Sequence, residues 1–208
     1  MIASPPVSVA VSPSRVVLAA GESRELRLAN GGSSPATVDI GTAGYTLGLR
    51  GRMRILAPTR AVAVEPRRVV VPARGTTTVV LRGAARRAGD TPALVLLTTQ
   101  RPQSDIAVRV RLGVVVLVRG AGRTVHHVVV ERLRVHGRRL QLWLRNRGNA
   151  AEALRVRIRI GRAVLVDTRQ LLPRSRGLSE FRLTRRVRGD AHVEVAFAGQ
   201  VLRRVLRL

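Results

Sequence analysis

Apolar and polar residues alternate with a period of two along most of the chain, broken by short clusters of Gly, Pro, Asn and Asp, while helical periodicity is almost absent. Such a pattern predicts half-buried strands joined by tight turns. In the first half it predicts strands at Val7–Val11, Arg15–Leu18, Ser23–Asn30, Ala36–Gly41, Ala61–Glu65, Thr76–Arg82, Ala93–Thr99 and Ile106–Arg119. Short strands of this number make one immunoglobulin-like sandwich. Ala20-Gly21-Glu22 and Asn30-Gly31-Gly32 read as turns with positive φ, Pro66 and Pro72 frame a brief edge segment, and Ala88-Gly89-Asp90 opens a hairpin. From Thr42 to Arg60 the alternation lapses, which reads as a long loop or a crossing between sheets.

The pattern pauses at Arg119-Gly120-Ala121-Gly122 and then resumes. Strands follow at Val125–Val135, Arg139–Asn146, Ala153–Ile160, Ala163–Asp167, Leu178–Leu183, His192–Phe197 and Gln200–Leu206, with hairpin turns at Gly137, Gly148-Asn149, Gly161-Arg162 and Gly199-Gln200. The expected organisation is therefore all-β: a short N-terminal remnant (1–6), an N-terminal Ig-like antiparallel sandwich (7–119) and a second one (120–208).

Composition adds to this picture in three places. Val, Leu, Ala and Ile dominate the apolar residues, and the aromatics are Phe181, Phe197, Tyr45 and Trp143, a balance that suits pleated surfaces. All 38 basic residues are Arg, against 12 acids, for a formal charge of +26. The charge is spread, with 17 Arg and 6 acids up to Arg119 and 21 Arg and 6 acids after it, and uniform Arg usage is the mark of a GC-rich genome more than of guanidinium chemistry. Cys is absent, which excludes disulfides, thiolate metal sites and a Cys nucleophile.

The start, Met1 to Pro6, has neither a charged n-region nor an apolar h-region and reads as the mature end left by signal removal, so export to the periplasm, cell wall or cell surface is expected. The longest apolar run, Val114 to Val118, is far shorter than a membrane span.

Four features invite chemistry. The strand Leu112–Val118 is apolar on both faces: Val114, Val116 and Val118 point one way, Val115 and Leu117 the other, so the second face must be covered by the other domain or by a partner. Gly113 suggests a bulge in it. Trp143 falls on the outward face if Leu140, Leu142 and Leu144 face the core, as a stacking platform, an interface anchor, or a ring lying under Arg side chains or beneath the first domain. In Leu154-Arg155-Val156-Arg157-Ile158-Arg159-Ile160 three Arg share one face, either solvated or a binding surface. His126, His127, His136 and His192 lack metal-ligand spacing, and Ser104-Asp105, Ser175 and His192 lack a nucleophile-elbow context, so the sequence points to a non-enzymatic protein without cofactor or metal.

The segment Pro13-Ser14-Arg15-Val16-Val17-Leu18-Ala19-Ala20-Gly21-Glu22-Ser23, with Leu26, Leu28, Asn30 and then Pro35, resembles the start of PapD-like pilus-chaperone domains. The block Val62-Ala63-Val64-Glu65-Pro66, Val69-Val70-Val71-Pro72, Thr77 to Leu81, Gly89-Asp90, Leu94 to Leu97 and Val108 to Val118 is similar to the cell-surface domains of WxL-interacting proteins. Both resemblances imply Ig-like sandwiches. The chaperone resemblance further implies that Arg15 is the basic anchor for a pilin's terminal carboxylate and that Ile106, Val108 and Val110 are the alternating apolar residues donated to a pilin groove. The family's second basic anchor falls near Val115, which is not basic.

Two functions follow as expectations. One is an extracytoplasmic envelope protein whose sandwich surfaces hold a surface protein, peptidoglycan or an acidic wall polymer. The alternative is a periplasmic chaperone of pilus-type subunits that acts by strand donation. A nucleic-acid partner is motivated by charge alone, since interleaved aromatics and recognisable binding motifs are missing.

Overall fold

The computed structural model describes residues 8–100, 109–184, 187 and 189–208. These form strands and turns throughout, without a helix long and apolar enough to cross a membrane. The chain divides into two compact units, one running to Tyr45 and resuming from Ile55 to Gly122, the other made of Thr46–Arg54 and Arg123–Leu208.

The first unit is a two-sheet sandwich. Strands β1 (Val9–Ser12), β3 (Ser23–Asn30), β8 (Thr76–Gly83) and β6 (Val62–Glu65) form one sheet in the order β1-β3-β8-β6. The other has β2 (Arg15–Ala19), β10 (Arg109–Gly120), β9 (Gly89–Gln100), β4 (Ala36–Leu47) and β5 (Met53–Pro58) in the order β2-β10-β9-β4-β5, with β7 (Arg68–Val71) also beside β4. Alternation does the sorting. In β3, Leu26 and Leu28 are fully buried while Arg27 between them is exposed, and Val114, Val116 and Val118 of β10 meet them in the core with Leu18, Val38, Leu81 and Leu97. Each such side chain contributes about 1.5–3 kcal/mol by leaving water.

Consecutive strands β1 and β2 belong to different sheets, and the cis Ser12–Pro13 bond lies where the chain crosses. The crossing makes β2 parallel to β10, a departure from the expected antiparallel arrangement.

The second unit repeats the architecture. Strands β11 (Val128–His136), β12 (Arg139–Asn146) and β15 (Arg176–Arg182) form one sheet; β14 (Ala163–Leu171), β13 (Glu152–Ile160), β16 (Asp190–Phe197) and β17 (Gln200–Arg207) form the other, in the order β14-β13-β16-β17. Leu140, Leu142, Leu144, Val156, Ile158 and Val193 fill its core. The tip of the β4–β5 hairpin is part of this unit: Leu178 N–H donates to the Leu49 carbonyl at 2.7 Å, and the Arg50 guanidinium bonds Glu180 at 2.6 and 3.2 Å.

Several expectations are corrected. The stretch Thr42–Arg60 is a hairpin, because β4 continues to Leu47 and β5 returns. Gly113 makes no bulge: β10 pairs with β9 without interruption from Arg109↔Gln100 to Gly120↔Gly89. The bulge is in β11, where the register to β12 shifts between Val130 and Arg132. Gly21, Gly137, Gly161 and Gly199 do take positive φ, but neither Gly31 nor Gly32 does. That loop is shaped instead by the buried Asn30 side chain, whose Oδ1 accepts from Gly32 N–H at 2.9 Å and whose Nδ2 donates to Ser34 and Val71 carbonyls at 2.8 and 3.3 Å. Gly148-Asn149 is likewise no hairpin turn, because β12 and β13 lie in different sheets.

Candidate functional site

Strand β10 is the element on which the sequence-derived candidates converge. Its second half is flanked on both sides, by β9 throughout and by β2 over Val115–Arg119, with Val115 N–H donating to the Ser14 carbonyl at 3.0 Å. Its first half, Arg109–Val114, has β9 on one side and no strand on the other among the described residues. Because Val115 directs its N–H towards β2, the two-residue period of the strand directs the main-chain groups of Gly113 and Arg111 to that same edge. A row of donors and acceptors is therefore left open.

Side chains divide along the same strand. Val118, Val116 and Val114 are fully buried, Leu112 is half-buried against the same core, and Val110 is 42% exposed, so one apolar row runs out of the core towards the open edge. Ile106 and Val108, which the period of two would place in that row, lie outside the described residues.

On the opposite face Val115 is half-buried and sits directly beside Arg15 in the parallel register, with Leu117 two residues on, also half-buried, beside Val17. Arg15 is exposed and has no carboxylate partner among the described residues. Tyr45 lies on β4, and burial pushes its phenol up from the usual value while the charge of Arg15 pulls it part of the way back. Arg15 stands beside half-buried Val115 with its guanidinium unengaged by a carboxylate among the described residues. The chaperone resemblance puts the family's second basic anchor near Val115, the residue beside Arg15 in the register, and Val115 is not basic.

Trp143 is in the second unit. Leu140, Leu142 and Leu144 are buried, Trp143 is half-buried on the outer face, and the Arg132 guanidinium lies over its ring, 4.1 Å from the centroid. One face of the indole is thereby occupied by a cation. Nearby, Glu131 pairs with Arg176 at 3.1 Å and Arg145 at 3.6 Å. The described residues hold no group of three or more His, Cys, Asp or Glu side chains arranged to bind a metal; His126 Nδ1 is bonded to buried Glu152 at 2.7 Å.

Sequence reasoning pointed to both faces of Leu112–Val118 but missed the open edge. Nothing local to β10 reveals that β2, a hundred residues earlier, covers only its second half.

With this geometry in view, comparison with known proteins is informative at the level of fold. The class 5 fimbriae chaperone CfaA is similar over 97% of this chain and 100% of its own, with a TM-score of 0.66 at 13% identity. A chain from a chaperone–tip adhesin complex of CFA/I fimbriae biogenesis matches 95% of this chain and 98% of its own, with a TM-score of 0.66 at 12% identity. The YadV chaperone matches 96% and 99%, with a TM-score of 0.56 at 15% identity. No family model and no curated protein matches the sequence. The chain has the PapD-like fold of two successive Ig-like sandwiches seen in fimbrial chaperones.

Proposed function

We propose that this protein is a periplasmic chaperone of pilus-type subunits, acting by lending β10 and the residues before it to a subunit's incomplete sheet. The observation that carries the reading is the open edge at Arg109–Val114, joined to an apolar row that emerges from the core through Leu112 and Val110. Main-chain bonds at such an edge supply affinity, and alternate side chains entering pockets supply specificity. In this reading Ile106 and Val108 extend the row, Arg15 receives the subunit's terminal carboxylate, and Val115 and Leu117 border that anchor. The likeness in fold to fimbrial chaperones supports strand donation over a wall-polymer binder, whose support is net charge alone.

The test is co-expression with a fimbrial-type subunit encoded beside it. A soluble one-to-one complex is expected, and Val110→Asp, or Ile106→Asp with Val108→Asp, should leave the subunit in the aggregate. A charged variant that still yields the complex in full would overturn the reading.

A further inference from the structure

The outer face of β14-β13-β16-β17 in the second unit carries a charge arrangement that strand donation leaves unused. On β13, Arg155, Arg157 and Arg159 occupy successive outward positions, each exposed and without an ion-pair partner among the described residues. Alternate residues of a strand are about 6.6–6.8 Å apart, so the three guanidinium stems form a straight lane. Its borders follow from register. On β14, Val166 stands beside Arg157 and Val164 beside Arg159, 54% and 47% exposed. On β16, Glu194 stands beside Arg157 but is engaged by Arg203 of β17 at 3.3 Å. A depression of about 340 Å³ opens alongside, lined by Arg157, Arg159, His192, Glu194, Arg203 and Arg204.

We infer that this lane is a docking site for an acidic protein partner that presents Asp or Glu at alternate positions of an extended segment. The repeat of such a segment equals that of the lane, and each carboxylate can take a bidentate bond from one Arg. The exposed valines beside the lane give apolar contact to a protein surface. Among the described residues an oligonucleotide would find no Phe, Tyr or Trp for its bases on this face, with His192 the one ring. A second copy of this chain is excluded as the occupant by a charge of +26 on each.

Fluorescence anisotropy with three labelled probes of equal charge tests this: a peptide alternating Glu and Thr, a peptide of the same composition with its Glu in one block, and an oligothymidylate. The alternating peptide should bind at least about fivefold more tightly than either other probe, and R155E/R157E/R159E should weaken it about tenfold or more. R155Q/R157Q/R159Q, checked by circular dichroism, should weaken it in the same direction. R27E/R82E/R86E, an equal change of charge in the first unit, should weaken it less than about twofold. Equal binding of the block peptide or the oligonucleotide, or an equal loss from the remote variant, would overturn the assignment. Subunit capture by R155E/R157E/R159E reads the separate strand-donation hypothesis, which this site does not touch.

Discussion

Asn30 and Asn146 hold the same corner in the two units. Each is buried at the end of a strand, each accepts from the N–H two residues on, Gly32 or Gly148, at 2.9 Å, and each donates from Nδ2 to the carbonyl four residues on, Ser34 or Ala150. The second Nδ2 hydrogen bond crosses to another part of the chain, to the Val71 or Leu172 carbonyl. Beyond each lies an Arg at positive φ, Arg74 at 52° and Arg174 at 56°, whose N–H donates to the Gly32 or Gly148 carbonyl.

Removing either amide strips its hydrogen bonds from the corner: Gly32 N–H and the Ala150 carbonyl lose the side chain that meets them, while Gly148 N–H keeps the His127 carbonyl at 3.3 Å and the Leu172 carbonyl keeps Ser175. Asn146→Ala should cost about 2–3 kcal/mol in urea unfolding, and Asn30→Ala should do the same to the first unit. An Asp at either position keeps the acceptor but loses the donor, and should be at least as damaging.

Gly148 sits where a Cβ would fall on the Val125 carbonyl oxygen, whereas a Cβ at Gly113 meets nothing within 4 Å. Gly148→Ala should therefore destabilise by about 2 kcal/mol or more, since two backbone segments must part. Gly113→Val should be neutral or stabilising by up to about 1 kcal/mol, because it adds strand propensity in open space. Thermal unfolding of the two variants should move in opposite directions or leave the second unmoved.

Ser179 is fully buried and its Oγ has no partner among the described residues. Ser179→Ala removes that unpaired hydroxyl at little cost in volume. The expected result is a gain of about 1 kcal/mol in denaturant unfolding.

Glu180 is held down to about 2 by hydrogen bonds from Arg50, first, and Gln141, against a smaller opposing effect of burial. A carboxylate depressed in the folded state contributes stability above its unfolded value of 4.5 and loses it as pH falls towards 2. Acid titration of stability should thus steepen in that window, and Glu180→Gln should flatten it. The pair is exposed, so added salt should shrink the effect.

Much of the fold is legible in the sequence because alternation reports burial. β3 and β12 fall on the predicted residues, Ser23–Asn30 and Arg139–Asn146, each with Leu inward and mostly polar or charged residues outward, Trp143 being the exception in β12. β5 escaped detection because every residue from Met53 to Pro58 is exposed, leaving no contrast between its faces to read. Asn30-Gly31-Gly32 misled for a different reason: glycine content suggested a left-handed turn, while an amide side chain supplies the hydrogen bonds that shape it. Of the candidate sites, the three-arginine lane is visible in residues 154–160, but its valine border and Arg203 depend on strand register, which sequence spacing does not carry. The same holds for Arg15 and Val115, neighbours only because β2 changes sheets.

The open half-edge of β10 carries a consequence for the protein in a crowded compartment. An unpaired strand edge invites any other such edge, including that of an identical molecule. Two copies meeting antiparallel along Arg109–Val114 would bring an exposed Arg111 from each into the same few ångströms of ladder, adding local repulsion to that of two strongly basic bodies. Charge on the edge thus works against pairing with an identical strand and in favour of a strand of opposite charge, before any pocket is filled.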